Sequence, residues 1–442
     1  MHVLPAALPA DDCKLESPLP DFNEGFALDA NGAPATGELT VQVLYMDFLD
    51  HAGGGEGDRT IEQIRAQIAS GIENLETQSA GRLEVTVREH PERLTFPHPV
   101  SHYAETEHTI WSYEELAVFV SDAVTVADPI VDFRGIDVVW VVSPWVFPLA
   151  WYNQASNTLD IEADGISITR AVTSPTGSDS DLRALVVHET GHSFGLPDLY
   201  DASDVGNARF IGAWDPMSAS IGTSAGEFMG WHLWRLGWID DDQVNCLSPA
   251  ARLDLELDAL TLRGDSVIAV IPTAASRAIV VESRRALRYD SEITRPGVLV
   301  YLVYTTDSTG AVLVGARDGT EFPTDPGGFA NATLRLGERY TDWASGLTIT
   351  VVASSADSDT VRFGSIDDPT EPPVDPETDP PVDETPGAVP ASSEHPGSTL
   401  PATGVAADAA WSATLALCMV GMIALALSAF RRPAHRDGSD RR

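Results

Sequence analysis

The sequence predicts an α/β (α+β) domain with a mixed sheet backed by helices, followed by a β-rich domain. As far as Trp238, apolar strand-like runs alternate with stripes of helical period. Across residues 252–363, alternating Val, Leu and Ile runs recur between turns. Residues 39–48 (LTVQVLYMDF) read as a buried first strand. In 60–78, Ile61, Ile64, Ile68, Ile72 and Leu75 form one helical stripe, the core face of a backing helix. Residues 82–88 alternate as a second strand, and 111–127 read as a helix. The run 135–143 (GIDVVWVVS) is apolar throughout, as a strand covered on both faces must be. A short strand at 165–172 precedes a helix at 179–195 with Leu182, Leu185 and Val186 on its inner side. Residues 226–238 (GEFMGWHLWRLGW) read as a helix with an aromatic face. In the β-rich part the clearest strands are 266–271, 278–282 and 297–303.

The helix at 179–195 carries the most informative stretch, His188-Glu189-Thr190-Gly191-His192-Ser193-Phe194-Gly195-Leu196-Pro197-Asp198, or HExxHxxGxxD. Two histidines four apart lie one above the other on a helix face, so their imidazoles can converge on one metal ion. Neutral imidazole suits Zn²⁺, and a catalytic zinc site takes three protein ligands and keeps one position open. Glu189 sits about 100° round the helix from His188. From there its carboxylate serves an attacking water rather than the metal, as general base and then acid. Gly195 permits a sharp turn that returns Asp198 as a third ligand; the other reading of Asp198 is a turn or capping carboxylate. HExxH alone recurs by chance, and the Gly and Asp at fixed offsets sharpen it. Gly191 weakens the helix by about 1 kcal/mol, with no gain to a purely structural helix. His232, alone on its helix, reads as structural rather than as a ligand. Tyr200 is close enough in sequence to be considered as an oxyanion donor.

A net charge of −39 over 442 residues argues against nucleic-acid binding, which needs clustered Lys and Arg. Lys14 is the one lysine. Of the three cysteines, Cys418 falls in an apolar run near the C-terminus. Cys13 and Cys246 remain, either as one disulfide in an exported protein or as two unrelated thiols. Leu400-Pro401-Ala402-Thr403-Gly404 is followed by the apolar stretch 411–430, long enough to cross a bilayer, and then by Arg431, Arg432, Arg436, Arg441 and Arg442. This three-part tail resembles the sorting signal of Gram-positive cell-wall proteins. The resemblance implies cleavage by a sortase between Thr403 and Gly404 and attachment of Thr403 to peptidoglycan; the alternative is an ordinary single-span anchor. Residues 366–399 hold nine acidic side chains, no Lys or Arg and many prolines, the composition of an extended spacer. The first ten residues contain two prolines and no basic start, so they do not read as a full signal peptide. An upstream start codon, or a signal remnant ending near Ala10, accounts for them.

HETGHSFGLPDLYD, GAWDPMS (212–218), the helix ending LGW and the later VESRR…GVLVYLVY run together resemble the immune inhibitor A family of bacterial secreted metallopeptidases. MDFLD and QSAGRLEV add to the likeness, which covers 39–361. It implies a zincin-like catalytic domain with an active-site helix, then a sandwich-like β-rich domain. It implies endopeptidase activity on proteins, with zinc on His188, His192 and Asp198 and Glu189 as general base. Met217 is then the floor of the site; as core filler it would be packed no differently. The chain departs from the family in showing no recognisable propeptide and fewer C-terminal modules. Family members often carry Ca²⁺. Asp198, Asp201 and Asp204, or Asp240 to Asp242, supply oxygen atoms, but in so acidic a chain a solvated face accounts for them and no calcium site is assigned. The domain reading is therefore 1–36 as an N-terminal extension, 37–248 as the metallopeptidase domain and 249–365 as the β-rich domain. The spacer (366–399) and the sorting signal with its membrane segment and basic tail (400–442) complete it. Two rivals stand beside a wall-anchored zinc endopeptidase. One is a catalytically silent wall-displayed adhesin stapled by zinc, against which the intact Glu189 speaks. The other is a zinc amidase acting on wall material.

Overall fold

Strand β1 (Gly37–Asp47) is buried along nearly its whole length and runs parallel to its neighbours, β2 (Leu83–Glu89), β3 (Leu94–Thr95) and β4 (Val138–Val142). Between β1 and β2 runs α1 (Ile61–Gln78). Thr60 accepts the Gln63 backbone N–H while Gln63 accepts that of Thr60, so two otherwise orphan donors are satisfied at the helix start. Short α2 (Val100–Tyr103) and then α3 (Tyr113–Ala127), capped by Ser112 and Glu115 in the same reciprocal way, lead to β4. Next come β5 (Gln154–Ser156), the hairpin β6 (Ile161–Ala163) with β7 (Ile166–Ile168), and β8 (Ala171–Ser174). The sheet order is β2-β1-β4-β8-β5, with β5 alone antiparallel and at the edge. The single strand expected at 165–172 is thus two strands in different sheets, because Thr169 and Arg170 separate the hairpin from the main sheet.

The computed structural model describes residues 7–20, 22–51, 58–103, 112–143, 154–174, 182–199, 211, 214–218, 226–291, 293–306, 311–313 and 332–368, all within one compact unit, Met1–Val374. The LPATG motif, most of the acidic spacer, the apolar stretch 411–430, Tyr200, Asp201 and Asp204 lie outside the described residues. Among those described, no helix is long and apolar enough to cross a membrane.

The two faces of the sheet carry different cores. Val138, Trp140 and Val142 of β4 face α1 and the motif helix, α4 (Leu182–Ser193); Val139 and Val141 face Phe119, Val120 and Ala123 of α3. Beyond lie α5 (Gly230–Arg235), β9 (Val244–Cys246), β10 (Leu253–Asp258), β11 (Ile268–Ala274), β12 (Arg277–Arg284) and β13 (Gly297–Tyr304). β14 (Ala311–Leu313), β15 (Arg339–Asp342), β16 (Leu347–Ser354) and β17 (Ser358–Ser365) follow. They form two sheets, β14-β13-β12-β11-β9 and β10-β17-β16-β15. Alternation divides β11 and β12 between two cores. Ile268, Val270, Ala278 and Val280 join the core beneath the motif helix, while Ala269, Ile271, Ile279 and Val281 pack against Leu347, Ile349 and Val361 of the second sheet. The five-stranded sheet is therefore a middle layer, and it buttresses the motif region directly.

Two findings go beyond the sequence reading. α5 is shorter than the helix expected at 226–238. The backbone N–H groups of Glu227, Phe228 and Met229 are taken by the side chains of Asp290, Gln78 and Asp215, so these residues are not in the helix. The stretch after residue 6 is no loose extension. Leu8 bonds to the Cys246 carbonyl, Cys13 is disulfide-bonded to Cys246 with 5.8 Å between Cα atoms, and Cys13, Leu15, Ala33 and Ala35 are buried in the main core.

Candidate active site

α4 carries His188, Glu189 and His192, all of low exposure, and His188 reaches the turn formed by Trp214–Ser218 through the Pro216 carbonyl. The helix ends at Ser193, and Gly195, whose φ of +96° is left-handed, closes the turn after it through Gly195 N–H to the His192 carbonyl and Leu196 N–H to the Gly191 carbonyl. The chain then reverses, and Asp198 Oδ1 comes to 3.3 Å from His188 Nε2 and 3.1 Å from His192 Nε2; the two Nε2 atoms are 3.2 Å apart. Donors bound at about 2.0–2.1 Å around a tetrahedral Zn²⁺ sit roughly 3.3 Å from one another. The three atoms match one face of such a tetrahedron.

The hydrogen bonds on the far side of each ring agree. His188 Nδ1–H donates to the Pro216 carbonyl and His192 Nδ1–H to the Leu196 carbonyl, each at 2.8 Å. A carbonyl only accepts, so each neutral ring carries its proton on Nδ1 and turns a lone pair on Nε2 inward. Two lone pairs and a carboxylate oxygen at such spacing repel unless a cation joins them. The electrostatics favour positive charge at this spot, whether a proton or a cation. Burial favours neutral His192, yet Asp198 outweighs it and pushes the imidazole up to about 9. Burial raises Asp198, but His192 and His188 hold it well below the usual carboxylate range. The residues present thus fit a divalent metal.

Glu189 is 3 % exposed, and its Oε2 is buried with no hydrogen-bond partner among the described residues. Ile68, Trp140, Val142, Leu182 and Leu185 line the cavity beside it. Burial raises its carboxyl above the ordinary 4.5, with His188 and His192 opposing. Gly191 has a use that the sequence alone did not reveal: a Cβ there would overlap Met217 Sδ. The glycine lets the methionine lie directly against the helix backbone at residue 191. Asn157, just after the edge strand β5, donates to the His192 carbonyl at 3.0 Å.

The Met217 turn is held from behind. Asp215 accepts the N–H groups of Met217 (2.8 Å) and Met229 (2.7 Å) and pairs with His232 Nδ1 at 2.9 Å. His232 Nε2 is 3.0 Å from Glu24, which also pairs with Arg235. His232, read from the sequence as structural, is here bonded between Asp215 and Glu24; sequence reasoning assigned no part to either carboxylate, Asp215 within GAWDPMS or Glu24 outside any motif. Phe22, near Glu24, meets the His192 ring edge-on at 5.6 Å.

Residues 133–237 match the family profile described as immune inhibitor A peptidase M6, catalytic domain. By that likeness the chain is a metallopeptidase. The match contains the motif helix, the Met217 turn and α5, and ends before the C-terminal sheets. No curated protein gives a match to the chain.

The buried His232 should make the stability of the metallopeptidase fall in alkali. Burial favours the neutral ring, but Asp215 and Glu24 outweigh it and raise the imidazole from 6.5 to about 10. A raised folded value stabilises fully below the unfolded one, and that contribution disappears as pH rises through about 10. Urea unfolding of the wild type and His232→Asn should therefore differ most near pH 6 and converge toward pH 10. A difference independent of pH would show that His232 is not held charged.

Proposed function

We propose that this metallopeptidase is a zinc-dependent endopeptidase. The observation that carries the reading is the convergence of His188 Nε2, His192 Nε2 and Asp198 Oδ1 within 3.1–3.3 Å of one another, beside a buried Glu189 oxygen with no described partner. His188, His192 and Asp198 would hold the ion. A Zn²⁺ ion held there would supply Lewis acidity toward the scissile carbonyl and lower the pKa of water to about 7. Glu189 takes the proton of the attacking water and returns it to the leaving amine, its raised basicity matching that task. The Pro216 and Leu196 carbonyls keep both imidazoles in the tautomer that carries its proton on Nδ1 rather than on Nε2. β5 pairs with β8 on one side only among the described strands and lies against α4. An extended substrate segment can add to its outer edge by backbone hydrogen bonds, which suits a peptide better than a sugar or lipid.

The reading includes export. A Cys13–Cys246 disulfide belongs to an oxidising compartment, and the LPATG tail with its apolar run and arginines supports sortase-mediated attachment to peptidoglycan. The protein is then a wall-displayed protease, inserted in the membrane only before sorting. No calcium is needed in this account. Metal analysis should find one zinc per chain at the site, and the protein should cleave denatured casein. His192→Ala should lose the ion at this site together with cleavage; a zinc content that does not fall in that variant would remove His192 from the ligand set. Cleavage of peptidoglycan fragments but not of casein would favour a wall amidase, and zinc without either activity a stapled adhesin.

A further inference from the structure

His98, His102 and Asp122 form a second group of metal donors, on the opposite side of the sheet from α4. His98 precedes α2, His102 lies within it, and Asp122 projects from α3. One ligand atom from each falls within 4.8 Å of the others. The two imidazoles lie with centroids 4.1 Å apart although both are exposed. Solvated side chains gain little from such crowding, whereas two imidazoles and a carboxylate on one small patch are a donor set for a borderline divalent ion.

The support beneath the patch is rigid. Phe96, Tyr103 and Phe119 pack ring to ring, with centroids 4.6–5.4 Å apart, under the exposed histidines. Tyr103 O–H donates to Asp122 Oδ2 at 2.7 Å, which orients the carboxylate and leaves Oδ1 for another partner. Pro97 and Pro99 flank His98 and fix the backbone on both sides of it. His102 N–H bonds to the Pro99 carbonyl, and Val100 N–H to Asp50, so the segment is anchored before any ion arrives. Small side-chain rotations bring three donors at this range to the roughly 3.3 Å spacing of a tetrahedral zinc site.

We infer that His98, His102 and Asp122 bind a second divalent transition-metal ion, Zn²⁺ by donor type, which staples the α2 segment to α3. The core around Phe119, Val139 and Val141 and the sheet itself separate it from Glu189, so it stabilises the fold and takes no part in peptide hydrolysis. The inference does not rest on the zinc endopeptidase reading.

Titration of the chelator-stripped chain with Zn²⁺, against a chromophoric competitor, tests it. The His98→Ala/His102→Ala variant should bind one ion fewer per chain than the wild type, and zinc should raise its unfolding temperature less. Casein cleavage should be unchanged. In a His188→Ala/His192→Ala background one ion should still bind, and it should be lost when His98 and His102 are also replaced. Both positions are exposed, so the double alanine variant folds; circular dichroism checks this. Asp122→Asn should weaken the same ion. Equal zinc uptake by the wild type and His98→Ala/His102→Ala overturns the site, whatever the state of the catalytic centre.

Discussion

Glu189→Gln should retain its zinc and lose peptide hydrolysis by roughly 10²–10⁴-fold, the range that general acid–base catalysis contributes. The substitution keeps the side-chain volume within a cavity lined by Ile68, Trp140, Val142 and Leu185, so packing is preserved. It removes only the capacity to accept a proton. Glu189 is not among the three converging donors, so metal content should not follow activity. The decisive measurement is kcat/KM on a quenched-fluorescence peptide, with zinc content determined on the same sample. Wild-type turnover by this variant would sink the general-base assignment and leave the ligand set untouched.

The second large effect lies outside the motif. Arg284, on β12, is fully buried and uses all five guanidinium hydrogens. It binds Asp290 twice, at 2.7 and 2.8 Å, Glu282 at 2.9 Å, and the carbonyls of Trp214 and Glu227 at 3.1 and 3.2 Å. Burial opposes its charge, but Asp290 and Glu282 hold it firmly protonated. Arg284→Ala strands two buried carboxylates, at a cost of about 3–5 kcal/mol. That is a large part of the 5–15 kcal/mol typical of a whole domain. Glu282 also accepts Gly230 N–H at the start of α5 and the Tyr301 hydroxyl, so the damage should spread toward α5. Loss of the Arg284 bond to the Trp214 carbonyl should loosen the Met217 turn, and activity should fall in the folded fraction. Urea unfolding monitored by tryptophan fluorescence checks the prediction. A loss below about 1 kcal/mol would mean that water or rearrangement satisfies Glu282 and Asp290.

These two residues mark what could be read before the fold was known. Glu189 was legible because its partners are local: a helix puts residues one and four apart in a known relation whatever surrounds it. Met217 was legible by resemblance, though why Gly191 precedes His192 became clear only when the methionine was seen against the helix. Asp215, Glu24 and Arg284 were not legible. Each ties the site together partly through long-range contacts, Arg284 to the Trp214 carbonyl, Asp215 to His232 and Glu24 to His232, and a lone Asp, Glu or Arg in a chain with many charges carries no signal of burial. The end of α5 was misplaced for a related reason. The aromatic pattern suggested a helix from Gly226, but three side chains from distant segments take the backbone donors of Glu227, Phe228 and Met229.

By itself the sequence determined the alternation of strands and helices, the motif helix and the chemistry of its donors. These depend on periodicity and on contacts within a few residues. Tertiary structure alone decided that Asp198 returns to within 3.1 Å of His192 and that the N-terminal stretch is bonded into the core through Cys13 and Glu24. It also decided that the β12 sheet serves two cores and steadies the Met217 turn through Arg284. The physical reason is burial. Charges and lone pairs gain direction and strength only when the fold removes water from around them, and that depends on every segment at once.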